Sequence, residues 1–162
     1  MYKRSCAVLI ASTLLVTALV GVARASHYAL ADVPRLVKPG EVEKLKKANV
    51  NTTEELLAKA AKPKDRKALA KTSGLSAADL LTLAKRCDLL QIKGVGSEMV
   101  LLLEAAGVKT TADLAKQEPA KLMASVDAAN KTSKITEKPP TEPQLADWIE
   151  QAKKLPQMVE TK

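Results

Sequence analysis

Lys93-Gly94-Val95-Gly96-Ser97 is the one stretch of this chain whose residue types and spacing suggest chemistry. Glycines let a backbone approach a ligand closely, and free N–H groups at the start of a following helix offer a phosphate both donors and a positive dipole end. Such a grip would use the N–H groups of Gly94, Gly96 and Ser97, with Val95 between them and charge from Lys93. The bland alternative is a tight turn between two packed helices. A dinucleotide-binding fingerprint is excluded, because the third glycine, a preceding strand and a downstream ribose-binding acid are all missing.

Other reactive side chains lack neighbours that would activate them. Cys87 lies in the helical pattern "LLTLAKRC", where a small apolar role is expected, and the single histidine, His27, is expected to lie outside the folded domain. Asp79 and Asp147 both read as capping residues rather than as an acid/base pair. The cluster "KPKDRK", Lys62 to Lys67, reads as a solvated helix start, and "AKRCD", Ala84 to Asp88, as a helix end with cations where the dipole favours them. No metal-ligand spacing and no nucleophile–base pair occurs, so the expectation is a protein that is not an enzyme and uses no cofactor or metal.

The elements that position the glycine turn are helices. Leu and Ala recur at a helical period, no segment alternates as a strand does, and an all-α fold is predicted. Thr52 to Glu55, Ser76 to Asp79 and Thr110 to Asp113 each place a hydroxyl three residues before an acid, as in a capping box. Pro63, Pro119 and Pro143 mark helix starts, and Gly74 and Gly107 mark helix ends. The run Met99 to Leu103 is apolar on every side, which predicts a central, buried helix.

The chain is internally duplicated. "LKKANVNTTEEL", Leu45 to Leu56, recurs as "LEAAGVKTTADL", Leu103 to Leu114. A weaker echo pairs Asp79, Leu80, Ala84 and Lys85 with Asp147, Trp148, Ala152 and Lys153, and its wider offset implies an inserted loop over Asn130 to Glu142.

The N-terminus reads as an export signal. Lys3 and Arg4 precede an uncharged run of 16 residues from Ala7 to Val22, and Ala23-Arg24-Ala25 is a small-residue cleavage site, with a second at Ala29-Leu30-Ala31. The signal is therefore expected at 1–25, with an alternative end at 31, and a periplasmic or extracellular location follows. An uncleaved N-terminal anchor is the other reading, although the run is short for a span of about 20 residues. Cys6 precedes the run, so no lipid anchor is expected, and cleavage would leave Cys87 without a disulfide partner. Removing Lys3, Arg4 and Arg24 takes 26 basic residues to 23 against 18 acidic, so the net charge of +8 becomes +5. That permits nucleic acid, anionic lipid or acidic partners without demanding any. Phe is absent, and of the aromatics only Trp148 lies well inside the domain, so base-stacking platforms for single strands are missing.

"AAKPKDRKALAKTSGLS", Ala60 to Ser76, "IKGVGSEMVLLLEAAGVKTTADLA", Ile92 to Ala115, and "PQLADWIEQAKKL", Pro143 to Leu155, carry a family likeness. From about Val37 to Leu155 the chain resembles an uncharacterised, domain-of-unknown-function family of tandem helix-hairpin-helix repeats, of the SAM-like kind. The resemblance implies a domain over 32–158, with halves at about 36–92 and 93–158 that share the central helix. Better known helix-hairpin-helix proteins bind DNA without reading its sequence, and a competent hairpin would imply the same here. Two departures oppose that: Glu98 falls in the first turn of the second helix, and "LVKPGEVEKL", Leu36 to Leu45, keeps only Gly40 and adds Glu41 and Glu43. The expected function is thus a noncatalytic exported scaffold that binds another protein, with sequence-independent DNA binding through Gly94 to Ser97 as the alternative.

Overall fold

A computed structural model of the protein describes residues 27–161, so the expected export signal lies outside the described residues. Among the described residues the chain is all-helical, with a short 3-10 turn at Leu30–Asp32 and eight α-helices. These are α1 (Pro39–Lys47), α2 (Thr53–Ala60), α3 (Pro63–Ser73), α4 (Ala77–Leu89), α5 (Ser97–Ala105), α6 (Thr111–Leu114), α7 (Pro119–Ser133) and α8 (Glu142–Lys154).

The starts and stops follow the chemistry of the helix ends. Proline opens α1, α3 and α7 and stands in the first turn of α8, where its missing N–H costs nothing. Thr52, Ser76 and Thr110 accept from the N–H groups of Glu55, Asp79 and Asp113, which satisfies donors that a helix start leaves free. Gly74 ends α3 with φ +71, a left-handed conformation that glycine adopts without strain.

The duplication is reproduced residue by residue. The Val50 N–H reaches Leu45 O at 3.0 Å, and the Val108 N–H reaches Leu103 O at 2.9 Å. Asn49 (φ 55) and Gly107 (φ 90) take the left-handed position just before each valine, so both α1 and α5 close with the same Schellman turn. Ala48 and Ala106 hold the two C-caps and are half-buried, whereas Val50 and Val108 are fully buried. Packing repeats as well. α1 on α3, α2 on α4 and α3 on α4 correspond to α5 on α7, α6 on α8 and α7 on α8, while α4 against α5 joins the two sets. The weaker echo holds at its apolar positions, since Leu80, Ala84, Trp148 and Ala152 are all buried.

Three expectations need correction. Asn130 to Ser133 are helical, so the inserted loop spans only 134–141, and Lys134 (φ 47) ends α7. Asp147 is not a cap: Thr141 caps α8 with Gln144, and Asp147 lies in mid-helix. "KPKDRK" is not wholly solvated either. Arg66 is buried, and its guanidinium donates to Ala60 O and Ala61 O at 2.9 and 3.3 Å, neutralising the dipole end of α2. Its other amino group donates to Glu160 O at 3.1 Å, and the Glu160 N–H returns to Ala61 O at 2.9 Å.

The packed unit also extends beyond 32–158. Besides the Glu160 contact, the Tyr28 N–H donates to Thr53 Oγ1 at 3.1 Å, the Thr53 N–H donates to Tyr28 O at 2.9 Å, and Leu30 is completely buried. A chain starting at Asp32 loses one buried leucine and both Thr53 bonds. It should be about 2–4 kcal/mol less stable than a chain starting at Ser26. Urea denaturation of the two chains checks this, and equal midpoints would contradict it.

Candidate functional site

The glycine turn sits between α4 and α5. The Val95 N–H closes a β-turn onto Ile92 O at 3.1 Å, with Gly94 at its third position and φ +93. Positive φ at that position is what a type II turn requires. Gly94 is also sterically constrained, because an added Cβ would lie 3.1 Å from Trp148 Nε1. Lys93 is exposed, but its backbone is fastened to α8: its N–H donates to Gln151 Oε1 at 2.8 Å, and Gln151 Nε2 donates to Lys93 O at 3.3 Å. Val95 is buried and faces the core. These three residues are therefore accounted for by packing.

Gly96 is different. It is the N-cap of α5 with φ −91, which any residue adopts, and an added Cβ would meet nothing within 4 Å. Among the described residues no protein acceptor engages the N–H of Gly96 or of Ser97. The fold does not require a glycine there.

Glu98 occupies the first turn of α5. One carboxylate oxygen pairs with the Arg35 guanidinium and the other accepts from Thr136 Oγ1 at 3.1 Å. Arg35, Glu98 and the 134–138 loop line an open, mixed-charge cavity of about 670 Å³. Nothing in the sequence announced this clamp, because its partners lie 63 and 38 residues from Glu98.

The two expected bystanders at the end of α4 are buried. Cys87 has its thiol pushed up to about 12, chiefly by burial and further by the neighbouring Asp88, so it is a poor nucleophile. His27, expected to stand apart, lines the same cavity of about 180 Å³ as Cys87, but its ring pairs with Glu54 at 3.5 Å. The expected helix-end cation is present as Arg86, which donates to Glu104 Oε2 and to Leu36 O at 3.0 Å each, and Asp88 beside it is the buried polar group. Its Oδ2 accepts from the Thr111 N–H and Oγ1 at 2.7 and 2.8 Å, and its Oδ1 accepts from Gln91 Nε2 at 3.0 Å. Burial raises its carboxyl above the ordinary range, against the lowering effect of these donors.

The fold is therefore an all-α, internally duplicated helical domain. The chain belongs to the family described as a domain of unknown function, DUF4332, whose model matches residues 35–155. No curated protein and no solved structure matches it.

Two measurements separate architecture from binding at this site. Gly94→Ala should destabilise by about 1–2 kcal/mol or more, whereas Gly96→Ala should stay within about 0.5 kcal/mol of the parent. Equal losses in chemical denaturation would refute the distinction. Asp88 holds its proton more tightly when folded than when unfolded, so its contribution to stability is full below a pH of about 4 and is lost as pH rises through the folded value. Relative to Asp88→Asn, the parent should lose stability between acidic and neutral pH; a difference that does not change with pH would contradict this.

Proposed function

We propose that this protein is a noncatalytic, exported binding module whose partner is another protein. The observation that carries this reading is the placement of Glu98. A phosphate approaching the start of α5 would meet a carboxylate held there by Arg35 and Thr136, and repulsion at that range opposes the helix dipole.

Charge distribution supports the same reading. Residues 27–96 carry 14 basic and 8 acidic side chains, net +6, whereas residues 97–162 carry 9 and 10, net −1. The excess of positive charge lies in the segment that precedes α5, and α5 itself carries two glutamates and no cation. Export is supported by the N-terminal pattern, and the burial of Leu30 favours cleavage before Ser26 over cleavage before Asp32.

Sequence-independent DNA binding through Lys93 to Ser97 is a second reading, and one observation favours it: Gly96 stands in open space with free N–H groups on it and on Ser97. Titration with a labelled duplex at about 0.15 M salt decides between the two. No saturable binding is expected. Duplex binding that falls steeply with salt, and whose salt slope drops by about one unit in Lys93→Glu, would overturn the protein-partner reading.

A further inference from the structure

A shallow groove of about 320 Å³ lies between the C-terminal end of α1, the outer face of α2 and one face of α3. Its floor is built from small or apolar side chains, Ala48, Ala58, Ala68 and Leu69, of which Ala58 and Ala68 are exposed. Alanines on a helix face let a second backbone approach closely. A groove of this kind therefore suits the apolar stripe of an incoming helix better than a bulky small molecule.

The rim sets the sign of the occupant. Ala68, Leu69 and Thr72 share one face of α3 with Asp65, and the strip beside Ala68 is occupied by Lys64, Lys67 and Lys71 at i, i+3 and i+7. All three lysines are exposed, and none forms an ion pair among the described residues. Lys59 at the opposite side donates to Asn49 O at 2.9 Å and so closes the α1 turn. Asp65, in the first turn of α3, is the one acid lining the groove. The surface is thus an apolar floor flanked by a row of unpaired cations, in the half of the chain that holds the net positive charge.

We propose that the groove between α1, α2 and α3 binds an amphipathic, acidic helical segment of another protein, its small apolar face on Ala58 and Ala68 and its carboxylates on Lys64, Lys67 and Lys71. The proposal rests on the protein-partner reading above and names the surface and chemistry of that partner. Charge complementarity across the lysine row sets register and speeds encounter, while the alanine floor supplies the contact area. A duplex would draw on the lysines but not on the apolar floor.

The test uses the full chain and four probes: a peptide of about 20 residues with Ala and Leu on one helical face and Glu on the other, its Lys-for-Glu counterpart, a DNA duplex of about 20 base pairs, and phosphatidylglycerol vesicles. Only the acidic peptide should bind saturably, with amide shifts confined to Ala58, Ala68, Leu69, Thr72 and their neighbours, and with weaker binding as salt rises. The double change Lys64→Glu and Lys71→Glu, both at exposed positions, should weaken it by about tenfold or more while leaving the melting temperature in place. No saturation at millimolar peptide, equal affinity for the lysine peptide, or tighter binding of duplex or vesicles at this face would overturn the proposal. Peptide binding that maps elsewhere and ignores the double change sinks the groove alone. Salt-sensitive duplex binding through Lys93 sinks both readings.

Discussion

A helix that begins inside a protein must find acceptors for its first N–H groups, and in this chain that requirement organises both halves. Thr53 and Thr111, the first residues of α2 and α6, are both almost completely buried. In the first half the requirement is met by backbone: Tyr28 exchanges hydrogen bonds with the N–H and hydroxyl of Thr53. In the second half the Asp88 carboxylate takes both donors of Thr111. One repeat thus borrows the residues that precede it, and the other borrows the end of α4. The choice of a buried carboxylate follows from geometry, since α4 leads directly into the turn that opens the second set of helices.

Local chemistry was legible in the sequence, and long-range chemistry was not. The capping hydroxyls, the helix-opening prolines, the glycine-marked helix ends and the all-α class all depend on residues within about six positions of one another, so spacing reveals them. Arg66 and Asp88 read as surface charges because isolated polar residues usually are. Their burial is made tolerable by partners that include Glu160 O for Arg66 and the Thr111 N–H and hydroxyl for Asp88, 94 and 23 positions away, which spacing does not reveal. The end of α7 was misread for another reason: Asn130 to Ser133 are polar but contain no breaker, so the helix continues until Lys134 turns left-handed. Of the glycine pair, the sequence showed the turn but could not show that Trp148 packs under one glycine and nothing packs over the other.

The two glycines therefore answer different demands although one residue separates them. Gly94 is fixed by backbone angle and by an indole, both internal to the domain. Gly96 is free of both, yet its neighbour Glu98 is committed to Arg35 and Thr136, which ties the start of α5 to the first half and to the loop before α8. The glycine turn thus forms part of the junction between the duplicated sets. α5 itself carries no cation, whereas α3 carries four and the last turns of α1 carry three.

The clasp between Arg66, Ala61 and Glu160 bears on the order in which the protein can be finished. α2 is bracketed by Tyr28 at its beginning and by Glu160 at its end, residues that lie 132 positions apart. A ribosome delivers the second of these 132 residues after the first. Until then the guanidinium of Arg66 lacks one of its acceptors and the end of α2 lacks its cover, so the first half cannot reach its final stability by itself. Tandem repeats ordinarily mature one after another along the chain. Here the tail couples them, because a segment that follows the second set of helices closes the end of α2 in the first, so the two sets share their final stability.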